Sequence, residues 1–210
     1  MQIHKPLLPL LALLLAFGCR ENKAPVSGTP ALRPDTMMAQ PSAAANSYPN
    51  VDISPMDMSY FPVDYTKLRM ADSIVEPPVA RVIYSRPHLQ RRHLFRDLLR
   101  YDEPWRLGAN ESTEIDLYRP VTIQGQKITP GRYILYCIPH TDSWTIVFNS
   151  NIDTWGLRQD TAKDMYRFRV PITTDNPSQE YFTMVFEKTA GGADLVIAWD
   201  NIVTKLPLEF

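Results

Sequence analysis

The sequence predicts an all-β domain, folded as an antiparallel, jelly-roll-like β-sandwich with one short helix and a disordered N-terminal tether. The chain has 210 residues, of which 44% are hydrophobic and 21% are charged, as expected of one globular domain. Its 19 prolines outnumber its 8 glycines, and aromatic and β-branched residues occur in short runs. About nine such runs, separated by turn residues at close spacing, favour a sandwich over a helical fold.

The first residues have the pattern of an export signal. Lys5 gives a positive start, and residues 7–17 form an apolar run that is too short to span a bilayer permanently. Residues 1–18 are therefore predicted to be a signal peptide. The following Gly18-Cys19 resembles the bacterial lipobox, which predicts lipidation of Cys19. The expected location is the cell envelope of a Gram-negative bacterium, anchored by lipid in the outer membrane. Secretion into the periplasm is the alternative.

Residues 19–62 are predicted to be a proline-rich tether that clears the membrane. Seven prolines fall within residues 20–62, with small and polar residues between them and no sustained period. The β-domain is accordingly placed at residues 63–210. Residues 60–78 are compatible with a strand or with a lead-in that packs against the domain edge.

Alternation then predicts the elements of the domain in order. Residues 81–84 form the first strand, and Leu94, Phe95, Leu98 and Leu99 have the helical spacing that predicts one short helix within residues 88–100. Further strands are expected in turn: residues 113–118, a hairpin over 121–128, residues 133–138 and 144–148 as a core hairpin, then 166–170, 182–186, 195–199 and 202–209.

The stretch from Trp105 to Glu111 is the strongest candidate for a site. It combines an indole, a guanidinium, an amide and a carboxylate around Gly108 and Ala109, which permit close backbone approach. Asn110 is expected to take a left-handed turn, and Arg86 or Arg106 to pair with Glu111. The candidate ligand-binding residues are Arg86, His88, Trp105, Arg106, Asn110 and Glu111. They form either a hydrogen-bonded lock on a buried turn or a polar pocket for an anionic or polyhydroxylated ligand.

Other chemistry has weaker support in the sequence. His88 and His93 are five residues apart and His140 stands alone, so no metal site and no cofactor are predicted. Cys137 lies in an apolar strand without a basic neighbour, which indicates a buried hydrophobe and not a catalytic thiol. Glu114 and Asp116 have the spacing of a solvated strand face. No catalytic residue is therefore assigned.

Several short strings resemble the uncharacterised domain-of-unknown-function family 2911, over about residues 79–209. The most specific string is Trp105-Arg106 followed by Gly108-Ala-Asn-Glu111. The others are Tyr84-Ser-Arg-Pro87, Pro130-Gly131 with Tyr133, Ile138-Pro139, Trp144 with Asn149, Trp155-Gly156 and Ala198-Trp199-Asp200. The resemblance implies an exported or lipid-anchored Gram-negative protein with an all-β domain, and implies no particular activity.

The chain departs from the family pattern just before the Trp105 string. Relatives tend to have a loop of the form Lys-Gly-Arg-x-x-Phe-Gly, and this chain has Gln90-Arg-Arg-His-Leu-Phe-Arg96. Loss of these glycines predicts a stiffer and more charged loop beside the candidate site.

The leading functional hypothesis is a non-catalytic envelope lipoprotein whose β-domain binds a carbohydrate or another envelope component. The net charge of −1 argues against a nucleic-acid partner, and the membrane is expected as a partner through the lipid anchor. Two alternatives remain: a hydrolase of glycans or esters that uses Glu111 and His88 as acid and base, and a purely structural envelope component.

Overall fold

The computed structural model describes residues 54–73 and 76–210. These residues belong to one compact unit that extends over residues 50–210. The predicted signal peptide, Cys19 and most of the predicted tether lie outside the described residues. None of the helices within the described ranges is long and apolar enough to cross a membrane.

The described residues form eleven antiparallel strands, so the all-β antiparallel class is confirmed. In chain order, these strands and an α-helix are β1 (Met56–Phe61), α1 (Tyr65–Met70), β2 (Ala80–Ser85), β3 (Thr113–Leu117), β4 (Val121–Ile123), β5 (Gln126–Ile128), β6 (Gly131–Pro139), β7 (Ser143–Asn149), β8 (Asp164–Thr173), β9 (Gln179–Lys188), β10 (Gly192–Asp200) and β11 (Ile202–Glu209). A π-helical turn at Leu94–Leu98 stands where the sequence predicts a short helix.

The strands follow one path, β1-β2-β3-β6-β7-β8-β11-β10-β9, and the sheet nearly closes into a barrel-like shape. The edge strands β1 and β9 meet, since the Phe186 N–H donates to Ser59 Oγ over 3.3 Å and the Phe61 and Phe186 rings lie 6.4 Å apart. The two separate sheets of the predicted sandwich are thus replaced by a single curved sheet. Curvature brings the inward faces of all its long strands around one core.

The core consists of the inward-facing residues of these strands. Tyr133, Leu135 and Cys137 of β6 share the inward face and belong to the same core cluster as residues of β7 and β10 such as Trp144 and Ile197. The β6–β7 hairpin pairs Pro139 to Ile134 with residues 144–149 of β7, which confirms the predicted core hairpin. Cross-strand packing of this kind stabilises the sheet through burial of apolar area.

The folded region begins earlier than predicted. Strand β1 lies inside the stretch assigned to the tether and pairs along its whole length with β2, with Phe61 buried at its end. The prediction missed β1 because this short run lies in a proline-rich stretch, and because its apolar Met56 and Met58 are about half exposed, so its alternation does not mark a buried face. Helix α1 follows within the stretch for which the sequence predicts a strand or lead-in, and none of its residues is buried.

Candidate functional site

Residues 86–112, which connect β2 to β3, cover one end of the barrel-like sheet, and we call them the cap segment. Because β2 and β3 are antiparallel neighbours, the chain leaves β2 and enters β3 at the same end of the sheet. Leu89, Leu94, Leu99 and Leu107 of the cap segment are buried in the common core. The cap segment is therefore part of the folded domain.

Main-chain bonds hold the cap segment to both sides of the sheet. Trp105 and Cys137 of β6 exchange two N–H to oxygen bonds of 2.7 and 2.8 Å. On the other side, the Phe182 N–H of β9 donates to the Pro87 oxygen over 2.9 Å. The start and the end of the segment are thus fixed independently of any ligand.

His140 adds a side-chain attachment that the sequence does not reveal. Its Nδ1 lies 2.5 Å from Asp102 Oδ1 of the cap segment, and its Nε2 lies 3.1 Å from Thr145 Oγ1 of β7. The Asp102 N–H also donates to the Pro139 oxygen over 2.8 Å. This histidine, predicted to stand alone, joins the cap segment to the β6–β7 hairpin.

The Trp105 to Glu111 turn has the backbone that the sequence predicts. Asn110 adopts a left-handed φ of 62°, and Leu107 does the same with a φ of 53°. Gly108 packs against the end of β2, where a Cβ atom would lie 3.1 Å from the Ser85 oxygen. The Thr113 hydroxyl then donates to the Leu107 oxygen over 2.5 Å. The small residue is required here by close backbone approach.

Trp105 is held in an aromatic cluster. Its ring stacks on Trp199 with centroids 5.5 Å apart and makes edge contacts with Trp144 and Phe182 at 5.9 and 4.9 Å. Its indole N–H donates to the Gly108 oxygen over 3.1 Å. These contacts match the predicted lock more closely than a free stacking floor.

Arg106 connects the turn to residues 150–158, which follow β7. Its Nη1 donates to the Asn110 oxygen over 3.0 Å and to the Trp155 oxygen over 3.3 Å. The neighbouring Ser112 hydroxyl donates to the Thr154 oxygen over 2.7 Å. Gly156 sits against both, since its Cβ would lie 2.5 Å from Ser112 Oγ and 3.3 Å from Arg106 Cβ.

Four of the strings that carry the family resemblance therefore meet at this end of the sheet. The Trp105 to Glu111 string contacts Ser85 of the first string, Trp155-Gly156 of the loop after β7, and Trp199 at the end of β10. Strings far apart in the chain thus build one structural unit.

Of the two arginines predicted as alternative partners of Glu111, Arg86 is bonded elsewhere. Arg86 instead pairs with Asp57 of β1 at 3.2 Å and donates to the Phe182 oxygen and Thr183 Oγ1 of β9, each over 3.2 Å. Glu111 is exposed and lines a separate hollow with Glu114 and Trp155. Arg86 joins the two edge strands, so its role is in closing the sheet.

His88 is buried between β9 and the cap segment. Its ring stacks on Tyr181 with centroids 5.1 Å apart. Its Nε2 lies 2.9 Å from Gln90 Nε2, and its Nδ1 lies 3.7 Å from Glu180 Oε1. Both ring nitrogens thus face residues other than Glu111.

A pocket of about 500 Å³ opens between the cap segment and the loop after β7. It brings together three of the six predicted ligand-binding residues: His88, Trp105 and Arg106. Its remaining lining residues are Ser54, Pro87, Gln90, Arg92, Leu98, Leu99, Pro104, Gly108, Ala109, Gly156, Leu157 and Trp199. Asn110 shapes the turn beside this cap pocket without lining it.

Sequence reasoning missed Gln90, Arg92 and Leu157 as pocket residues. The first two stand in the loop that departs from the family pattern, and that departure was the available signal. Leu157 follows the Trp155-Gly156 string and is 65% exposed, with no periodic pattern to indicate where it points. Loops supply these residues, so strand alternation carries no information about them.

Cys137 is free and fully buried in the core, as the sequence predicts. Burial raises the pKa of its thiol well above the ordinary value. The thiolate needed for nucleophilic or metal chemistry is therefore disfavoured at this position. Within residues 54–73 and 76–210, no three His, Cys, Asp or Glu side chains are grouped so as to hold a metal ion.

Comparison with known proteins gives one family match. Neither the curated proteins nor the solved structures contain a match to this chain. The family described as "Protein of unknown function (DUF2911)" matches residues 69–208, which covers the cap segment, β2 to β10 and all but the last residue of β11. The chain belongs to this family.

Proposed function

We propose that this protein is a non-catalytic, lipid-anchored component of the Gram-negative cell envelope whose β-domain binds a ligand in the cap pocket. The expected ligand is a carbohydrate or a part of another envelope molecule. The finer description as a binding module on a lipid-anchored tether rests on the N-terminal sequence and on the pocket. Gly18-Cys19 supports the anchor, and the pocket supports the binding activity.

The observation that carries the proposal is the composition of the cap pocket. Two arginines, a histidine and a glutamine line the pocket together with leucine, proline and tryptophan residues and several small residues. Ligand sites commonly combine a mainly apolar wall with a few polar groups that orient the ligand, and a volume of about 500 Å³ lies in their usual size range.

The positions of His88 and Glu111 give the hydrolase alternative no support. An acid and a base must lie within hydrogen-bond reach of the reacting groups. His88 lines the cap pocket and faces Gln90 and Glu180, while Glu111 lines the separate hollow beside Trp155. No second function is therefore proposed from this pair.

If the protein is a purely structural envelope component, the same contacts hold the cap segment but the pocket binds no ligand. A binding experiment therefore separates this alternative from the proposed binding function. The full chain is purified in detergent and screened by calorimetry against neutral and acidic oligosaccharides and peptidoglycan fragments. In Ala109→Trp, an indole is added at a half-exposed position of the pocket wall. Any ligand of the pocket should lose at least tenfold in affinity through steric exclusion.

The matched control is Ala190→Trp, which places the same indole at an exposed position in a different hollow. It should leave binding unchanged. A screen without any ligand, or a ligand equally affected by both variants, would contradict the proposed pocket.

Lipid attachment is tested separately. In the native host, labelled palmitate should enter the full chain and be absent from Cys19→Ala, which should leave the membrane fraction. Retention of Cys19→Ala in that fraction would contradict the anchor.

A further inference from the structure

The cap segment carries a local excess of positive charge. Its residues 86–112 contain six arginines, at 86, 91, 92, 96, 100 and 106, and four acidic residues, at 97, 102, 103 and 111. The whole chain has a net charge of −1, so this excess is specific to the covered end of the sheet. Among the described lining residues of the cap pocket there are two arginines and no carboxylate.

Arg92 is oriented by its own loop. Its Nε donates to the Leu89 oxygen and its Nη2 donates to the His88 oxygen, both over 2.9 Å. The Arg92 N–H also donates to the Leu89 oxygen over 3.0 Å. The guanidinium plane is therefore fixed by bonds along one of its edges.

The second edge of this guanidinium remains available. A guanidinium has five N–H groups, and the edge formed by Nη1 and the second Nη2 hydrogen fits the two oxygens of a carboxylate or phosphate. No ion pair joins Arg92 to a carboxylate among residues 54–73 and 76–210. The side chain thus presents a bidentate donor pair in a fixed direction.

The loop that orients Arg92 is strained. Gln90 and Arg91 are consecutive left-handed residues, with φ of 51° and 63°. A left-handed backbone is unfavourable for residues other than glycine, and such strain persists where surrounding bonds determine the conformation. Glu180 supplies such bonds, because its Oε1 accepts from the Gln90 N–H over 2.8 Å and its main-chain oxygen accepts from the Leu89 N–H over 3.0 Å.

We propose that the cap pocket selects an anionic ligand, and that the free edge of Arg92 holds one carboxylate or phosphate group of that ligand. This inference rests on the proposed binding function and adds the ligand's chemical class. Leu98, Leu99 and Leu157 provide an apolar wall for the uncharged body of the ligand. Arg106 adds positive potential while its Nη1 remains bonded to main-chain oxygens.

The test compares three sugars that differ in charge: glucuronate, glucose 6-phosphate and glucose. Binding to the full chain in detergent is measured by calorimetry at low and high NaCl. At least one anionic sugar should bind ten times more tightly than glucose, and its affinity should fall as salt rises. The comparison between glucuronate and glucose 6-phosphate identifies whether the preferred group is a carboxylate or a phosphate.

Variants of Arg92 test the assigned residue. Arg92→Gln should weaken binding of the anionic sugar at least tenfold, and Arg92→Lys should be intermediate because it keeps the charge and loses the paired donors. The control is Arg96→Gln, since Arg96 lies in the same segment, is mostly exposed and pairs with Asp97. It should bind like the native protein.

Three results would overturn the anion inference: equal affinity for glucose and the anionic sugars, native affinity in Arg92→Gln, or no binding of any of the three sugars. If glucose binds equally well and Ala109→Trp blocks it, the binding function stands and only the anion selectivity fails. If none of the three sugars binds, the broader oligosaccharide and peptidoglycan screen decides the binding function by itself.

Discussion

At the scale of single residues, Arg106 and Gly156 determine how the loop after β7 meets the cap segment. Arg106 binds main-chain oxygens on both sides of the contact, which fixes two segments with one side chain. Gly156 permits this approach because it has no Cβ atom and adopts a left-handed φ of 74°. Arg106 and Gly156 therefore both hold the two segments together and line the cap pocket.

Replacement of Gly156 should be costly for two separable reasons. Gly156→Ala adds left-handed strain of about 1 kcal/mol and a Cβ atom that would lie 2.5 Å from Ser112 Oγ. We expect the free energy of unfolding to fall by about 2 to 3 kcal/mol in denaturant titrations.

Two other glycines separate these effects. Gly125 has a similar φ of 77° with nothing near its absent side chain, so Gly125→Ala should lose about 1 kcal/mol from strain alone. Gly191→Ala, in open space, should be close to neutral. Equal losses for Gly156→Ala and Gly125→Ala would show that the close contact with Ser112 is absent in solution.

At the scale of strands, β2, β3 and β6 are joined by a row of charges directly opposite one another. Asp116 lies between Arg81 and Arg132 in the strand register. Arg81 Nε donates to Asp116 Oδ2 over 2.9 Å, and Arg132 Nε donates to Oδ1 over 3.2 Å. The sequence predicts a solvated face here, and for Asp116 this is wrong because it is 9% exposed. Alternation identifies the outward side of a strand but not what neighbouring strands place over it.

Removal of Asp116 should leave two cations without their shared partner. Asp116→Ala is expected to lower the free energy of unfolding by about 2 kcal/mol, between the values for exposed and buried pairs. Glu114→Ala is the matched control on the same strand, because Glu114 contacts Arg132 only at 3.5 Å and should have a much smaller effect. Equal effects of the two variants would show that the row is screened by solvent.

Tyr136 of β6 reaches across β7, which lies between the two strands, and donates to Asp164 of β8 over 2.8 Å. Burial, followed by the bond to Asp164, raises the pKa of Tyr136 from 10.0 to about 12. A raised pKa for this acid means that the folded state favours the neutral phenol. The corresponding stability is present below pH 10 and is lost as the pH rises toward 12.

The resulting prediction concerns alkaline unfolding. Between pH 9 and 11 the native protein should lose about 1 kcal/mol more stability than Tyr136→Phe, which has no phenol to titrate. Denaturant titrations at fixed ionic strength measure this difference. A constant difference between the two proteins across this pH range would contradict the raised pKa.

At the scale of the whole molecule, most of the strands can be predicted from the sequence. The near closure of the sheet into a barrel-like shape cannot. Short apolar runs bounded by turn residues predict β2, β3 and β6 to β11. Alternation also indicates the core face where the other face is polar, as in β8 and β9, whereas β6 is buried on both faces. Closure depends on β1 and β9, which are more than 100 residues apart and meet through Ser59, Phe61 and Arg86. The same holds for the candidate site. The left-handed turn at Asn110 is predictable from the sequence, whereas Arg92 and Leu157 line the pocket from loops and are not.

Because β1 closes the sheet, the domain should require β1 for its stability. Two tests address this: removal of β1 by truncation and replacement of one of its buried side chains. A chain starting at residue 54 should unfold cooperatively with higher stability than one starting at residue 63, because the shorter chain lacks the whole of β1. Within the full chain, Phe61→Ala should cost about 3 kcal/mol, since Phe61 is 7% exposed and packs on Phe186. Met58→Ala, at a position that is 51% exposed, is the control and should be nearly neutral. Equal stability of the two chain lengths would mean that β1 is not part of the cooperative fold. The contacts of Arg86 with β1 and β9 would then contribute nothing to the stability of the domain.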